Sequence, residues 1–275
     1  TTDGYDRVYA YYARYLEIAR TAKVGFILES PTWRASSDWG PRMGYSALEL
    51  ADINVKSIAM MSDLRDQYQT DDTPCLISGC VGPRGDGYTP SDRMTAEQAR
   101  DYHAVQIESF AGTAIDMVSA ITMNYLEEAL GIALSCKDAQ VPCVISFTVE
   151  TDGHLPSGET IEEAIARVDH HTGAYPVYYM INCAHPDHFR DKLGGNGAWK
   201  NRICGVRANA SRQSHAELDA CEHLDDGNPD ELGRLYRDLA SVLPNLSVIG
   251  GCCGTDHRHV TAMAEHALPH LHAAR

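Results

Sequence analysis

Seven short apolar runs, separated by stretches with helical spacing, set the limits on what this chain can become. The runs are residues 24–28, 75–81, 116–123, 143–149, 177–183, 204–210 and 246–249. Helical periodicity fills 5–23, where Val8, Tyr12, Tyr15 and Ala19 share a face behind Asp3 as N-cap, and also 46–68, 126–137, 161–171, 185–193, 230–243 and 257–272. Thr95 and Gln98 read as a capping box opening a further helix, with Ile107, Phe110 and Ala114 as its buried stripe. Strands alternating with helices predict a parallel sheet. The residues with the most reactive chemistry stand just after strand ends: Glu29, the loop from Gly82, Glu150, Cys183 and Cys252-Cys253. A (β/α)8 barrel gathers its site at that face. An open doubly wound sheet collects its site at one switch point instead. The expectation is an α/β fold of TIM-barrel type, one domain over residues 1–275.

Charge and cysteine content narrow the partners. The formal net charge is −15, which argues against nucleic acid or an anionic membrane surface. No apolar run approaches the length of a bilayer span, and no signal-peptide pattern opens the sequence. Nine cysteines, an odd number without compact spacing, fit a reducing cytoplasm rather than a secreted disulfide scaffold.

The stretch Gly250-Gly251-Cys252-Cys253-Gly254-Thr255 carries the strongest chemical signal. Neighbouring residues on a regular strand point to opposite faces. Adjacent cysteines therefore serve one centre only where the backbone leaves strand geometry, and the flanking glycines permit that. Cys183 ends another apolar run. Three thiolates from two strand ends match a catalytic zinc with its fourth position open. The remaining residues have plainer readings. Cys75, Cys136, Cys143, Cys204 and Cys221 read as buried small hydrophobes, and Cys80 stays open because it precedes the glycine loop. His185 with His188, and His257 with His259, offer a rival metal site of the kind a hydrolase uses, or else cap and solvate helix ends. Glu150 is either a solvated strand-end charge or a carboxylate that holds a substrate ammonium. The Gly82 loop lacks the Walker spacing and its lysine, and reads as a loop closing over substrate or as an ordinary turn.

Four stretches together resemble the homocysteine S-methyltransferase family, zinc-dependent homocysteine-binding barrels. They are Ile181-Asn182-Cys183, Gly250 to Thr255 as above, Ile77-Ser78-Gly79-Cys80-Val81-Gly82-Pro83, and Val149-Glu150 followed by Gly153 and Gly158. The resemblance spans about residues 24 to 270. It implies that Cys183, Cys252 and Cys253 bind zinc, that Glu150 contacts the amino group of homocysteine, and that Asn182 belongs to the substrate site. It implies a methyltransferase that moves a methyl group from an onium-type donor to homocysteine or a related thiol, forming methionine or another thioether. The chain departs from the family in two places. A helix stands where the family has a first strand and an Asp-Gly-Gly-type turn, and Ile121-Thr122-Met123-Asn124 lacks the usual acidic residue.

The barrel is thus expected without its first strand in this chain, with the edges near Val24 and Ile249 unpaired. The tyrosine-rich first helix (Tyr5, Tyr9, Tyr11, Tyr12, Tyr15) suggests a homo-oligomer, or packing on its own barrel. Three functions stand side by side: a zinc-dependent thiol methyltransferase, a histidine-based metal hydrolase, and a non-catalytic zinc-thiolate protein. The methyltransferase reading depends on Cys183 lying beside the cysteine pair.

Overall fold

Local chemistry starts and stops most of the elements. In the computed structural model, which describes residues 2–194 and 197–273, the chain opens with α1 (Thr2–Ala22), β1 (Phe26–Glu29), α2 (Trp39–Arg42), α3 (Ala47–Tyr68) and β2 (Cys75–Val81). It continues through α4 (Ala96–Ala111), β3 (Met117–Met123), α5 (Leu126–Asp138), β4 (Cys143–Phe147), α6 (Ile161–Thr172) and β5 (Tyr178–Asn182). Last come α7 (Pro186–Phe189), β6 (Ile203–Ala208), α8 (His215–Ala220), α9 (Pro229–Leu239), β7 (Val248–Gly251) and α10 (His257–Ala273). Thr1, Gly195, Asn196, Ala274 and Arg275, inside the expected domain bounds, lie outside the described residues. Capping boxes open α3 (Ser46 with Glu49), α4 (Thr95 with Gln98), α6 (Thr160 with Glu163) and α8 (Ser214 with Glu217). Each satisfies two orphan donors of a helix start.

Two local expectations need correction. Asp3 is not an N-cap: α1 already begins at Thr2, so its carboxylate sits in the first turn, where the helix dipole favours it. Ala114 does not join the stripe of Ile107 and Phe110, because α4 ends at Ala111 with Gly112 as its C-cap.

The seven strands form one parallel sheet in the order β1-β2-β3-β4-β5-β6-β7. A doubly wound sheet reverses its order at a switch point, and this one does not. Alternate side chains of β3 serve two apolar layers. Val118 and Ala120 join the large cluster under the helices, while Met117 and Ile121 join Cys80, Val144 and Met180 in a second cluster. All residues of β3 and β4 are buried, as strands covered on both faces must be.

The sheet curls. Glu29, at the end of β1, forms an ion pair with Arg207 of β6. Five strand spacings in a flat sheet would hold those strands about 24 Å apart. Among the described residues β1 pairs only with β2, and β7 only with β6. Helix α1 packs against both α3 and α10. Its Tyr12 hydroxyl donates to the Glu29 carbonyl, and its Arg14 lies 3.5 Å from His257 Nδ1. The protein is therefore an α/β fold of seven parallel strands in a curled sheet of TIM-barrel type. The tyrosine face is partly turned to its own chain: Tyr5 bonds Asp63 at 2.9 Å and Tyr9 bonds Gln67, while Tyr5 and Tyr11 stay exposed. Among the described residues no helix is long and apolar enough to cross a membrane.

Arg207→Met should strand the mostly buried Glu29 carboxylate and destabilise the fold by roughly 2 kcal/mol, below the ~3–5 kcal/mol of a fully buried pair. Urea unfolding reads this directly. The double variant Glu29→Leu with Arg207→Met should recover much of the loss, and an unchanged midpoint in the single variant would contradict the closing role of the pair.

Candidate metal centre

The centre begins where β5 stops. Cys183 has φ +53, a left-handed backbone that takes it out of strand geometry. Its N–H donates to the Arg207 carbonyl at 3.0 Å. Its carbonyl accepts from Asn209 Nδ2 at 3.1 Å and His215 Nε2 at 2.6 Å. Asn182, just before it, is fully buried. Its Oδ1 accepts from Thr122 N at 3.0 Å and Ser146 Oγ at 2.6 Å, and its Nδ2 donates to Thr122 Oγ1 at 2.8 Å. Thr122 has φ +69, a strained conformation for a β-branched residue. The Asn182 side chain is thus engaged in holding the end of β3 against β4 and β5, beneath the thiols.

The end of β7 also leaves strand geometry, through a turn. The strand closes at Gly251, and Cys252 and Cys253 lie in the turn beyond it. Thr255 closes that turn, its N and Oγ1 donating to the Cys252 carbonyl at 3.1 and 2.6 Å. A Cβ on Gly251 would meet Thr255 Oγ1 at 2.1 Å, and Gly254 sits at φ +77. Both positions therefore need glycine. Asn209 bridges the two ends: Nδ2 binds the Cys183 carbonyl and Oδ1 accepts from Cys253 N at 3.1 Å.

The three sulfurs meet. The sulfurs of Cys183, Cys252 and Cys253 all lie within 4.8 Å of one another. Cys183 and Cys252 are joined as a disulfide, with Cα atoms 5.4 Å apart, and Cys253 Sγ is 3.9 Å from Cys183 Sγ. Two thiolates bound tetrahedrally to one zinc stand about 3.8 Å apart. Once the disulfide is reduced, the donor set of three sulfurs fits that ion. No other group of three His, Cys, Asp or Glu ligand atoms comes together among the described residues. The histidines of the rival site act as caps and tethers instead. His185 Nδ1 accepts from Asp187 N, His188 Nε2 donates to the Arg212 carbonyl, and His259 holds Asp256 N and the Asp226 carbonyl.

Two residues beside the sulfurs were missed in the sequence. His215 starts α8 and stands between Glu150 and Cys183: Nδ1 lies 3.0 Å from Glu150 Oε1, while Nε2 donates to the Cys183 carbonyl. Tyr88 comes from the Gly82 loop. Its ring stacks on His215 at 4.1 Å, and its hydroxyl lies 3.7 Å from Cys253 Sγ. Burial, and then the neighbouring Cys253, push the Tyr88 phenol up from its ordinary value, so it stays protonated. The loop is anchored by Arg84 N donating to the buried Glu128 at 2.7 Å, Asn124 Nδ2 donating to the Asp86 carbonyl at 2.7 Å, and Arg34 donating to the Pro83 and Gly85 carbonyls. Periodicity gave no signal for either residue, since His215 lies in a six-residue helix and Tyr88 in a turn. Of the cysteines expected as core, Cys75, Cys136 and Cys143 are buried, as is the open case Cys80. Cys204 is half-buried. Cys221 is a correction: it caps the short α8 at the surface, 3.0 Å from Gln213 Oε1.

The sequence pattern of the homocysteine S-methyltransferase family matches residues 3–267. The chain belongs to that family. Members are methyltransferases, and a curated relative, homocysteine S-methyltransferase 1 of Arabidopsis thaliana, is 22% identical over 242 residues, covering 80% of this chain and 72% of its own. The homocysteine methyltransferase MmuM of Escherichia coli shares the fold. Its oxidised form superposes with a TM-score of 0.76 at 16% identity, over 96% of this chain and 85% of that one. Its metallated form gives 0.68 at 17% identity, over 87% and 78%.

Asn209→Ala should remove both bonds between the thiol-bearing ends and lower stability by about 2 kcal/mol, since each lost partner leaves a buried group unsatisfied. A urea midpoint equal to the parent's would show that the bridge is dispensable.

Proposed function

We propose that the reduced chain holds one zinc ion through Cys183, Cys252 and Cys253 and transfers a methyl group from an onium-type donor to the thiol of homocysteine or a close relative. The observation that carries this reading is the convergence of three sulfurs from two strand ends at the C-terminal mouth of the sheet. The parallel strands and their helices are read as one barrel-type domain. Its seven strands and their helices bring together every residue the reading uses.

Zinc, when bound, supplies a Lewis acid that keeps an acceptor thiol deprotonated near neutral pH. The chain's own residues do the rest. Glu150 offers its carboxylate to the acceptor's ammonium. Asn182 and Asn209 hold the strand ends so that the sulfurs face one point. Tyr88 and the loop from Gly82 cover the mouth, with Trp33 behind it donating to the Ile121 carbonyl. In the transfer, the acceptor sulfur forms a bond to the methyl carbon as the bond from that carbon to the onium atom breaks. The leaving atom keeps the electron pair, which cancels its positive charge. A chain with a net charge of −15 favours the approach of such a cation.

Three measurements test the reading. Metal analysis should give one zinc per chain after treatment with a reductant and none while the disulfide persists. Cys→Ala at any of the three positions should abolish or severely weaken binding, because two thiolates leave the ion under-coordinated. Glu150→Ala should keep its zinc but bind homocysteine ~1.5–3 kcal/mol more weakly, the range for a charge-assisted hydrogen bond. Reduced, zinc-loaded protein that methylates no thiol from a panel of sulfonium and quaternary ammonium donors would sink the assignment.

A further inference from the structure

Glu150 and the three cysteines stand on different strand ends, and a glutamate side chain at the mouth has rotamer freedom that blurs where its charge sits. The Glu150 side chain is 36% exposed, whereas the His215 side chain is only 9% exposed. Among the described hydrogen bonds and ion pairs, only Oε1 of Glu150 is engaged, by His215 Nδ1. The opposite edge of the same ring donates to the Cys183 carbonyl, and its face carries Tyr88, whose hydroxyl reaches Cys253. One rigid ring therefore touches the carboxylate, the backbone of one thiol-bearing strand end, and the residue resting on the other.

We propose that His215 is a positioning residue that fixes the Glu150 carboxylate at a set distance from the thiol cluster, and so makes the site selective for acceptor thiols that carry an α-ammonium group. This rests on the methyltransferase reading above. An ammonium and a sulfur two methylenes and one α-carbon apart can be gripped together only if their two partners are held at a matching distance. Small displacements of such partners are costly. The imidazole supplies that spacing because both ring nitrogens are engaged and the ring has no internal freedom. Oε2 of Glu150 remains for the ligand.

The test compares two thiols, homocysteine and 4-mercaptobutanoate, which has the same carbon chain without the amino group. Their dissociation constants are measured by calorimetry on reduced, zinc-loaded protein without any methyl donor. Wild type should bind homocysteine more tightly. His215→Gln keeps an amide that reaches the Cys183 carbonyl but loses the Nδ1 contact. It should weaken homocysteine roughly tenfold or more and change 4-mercaptobutanoate by less than about threefold, as expected when one charge-assisted contact is released. His215→Asn, which places an amide nitrogen where Nδ1 stood, should restore much of the preference. Equal weakening of both thiols in His215→Gln would mark a purely structural role and overturn the proposal. So would wild type that binds the two thiols equally while still methylating homocysteine. Wild type that takes up no zinc after reduction would overturn the methyltransferase reading, and this inference with it.

Discussion

The left-handed turn of the backbone at Cys183 is the constraint on which the rest of the mouth depends. A regular strand would have sent this sulfur to one face of the sheet and left it there. At φ +53 the residue instead turns its sulfur toward the end of β7, where the Cys252-Cys253 turn performs the equivalent departure. The left-handed conformation of Cys183 is not favoured locally, whereas the cysteine pair's turn places its left-handed position at Gly254. Each is fixed by neighbours: Arg207, Asn209 and His215 take the backbone groups of Cys183, while Asn209, Ala210 and Thr255 take those of the cysteine pair. Such strain persists only where the surroundings over-determine it. Here the surroundings are strand ends already ordered by the parallel sheet.

The sheet supplies that order because it is continuous and curled. A flat sheet would leave β1 and β6 far apart. The Glu29–Arg207 pair shows that they meet across the interior, and α1 lies over the edge strands by packing on α3 and α10. Arg207 has a second use: its backbone carbonyl receives the Cys183 N–H. Curvature and site geometry thus share a residue.

Much of this was legible in the sequence. The strands came from apolar runs, the thiol cluster from glycines that mark a broken strand beside paired cysteines, and the start of α4 from its Thr95–Gln98 capping box. What was not legible shares a physical cause. His215 and Tyr88 matter only through what they touch, and their contacts link segments 32 to 165 residues apart. The bonds of Asn182 to Thr122 and Ser146 were not legible, because only the folded sheet brings those strand ends beside it. Asp3 and Ala114 were misplaced at helix ends, the least legible part of a helix: α1 starts at Thr2 and α4 stops at Ala111. Cys221 was misread because burial is a tendency of cysteine, and a six-residue surface helix has no interior in which to place it.

The sequence separations at the mouth carry a kinetic consequence. Cys183 and Cys253 lie 70 residues apart, Glu29 and Arg207 are separated by 178, and Arg14 meets His257 across 243. Contacts between such distant segments form late, after the entropy of closing large loops has been overcome. No fragment of the chain can hold the three sulfurs together in advance of the sheet. During synthesis the last cysteines emerge only when nearly all the strands are already made. Reactive thiols therefore come into register in a molecule whose core is already built, and their convergence reports that folding has reached its end.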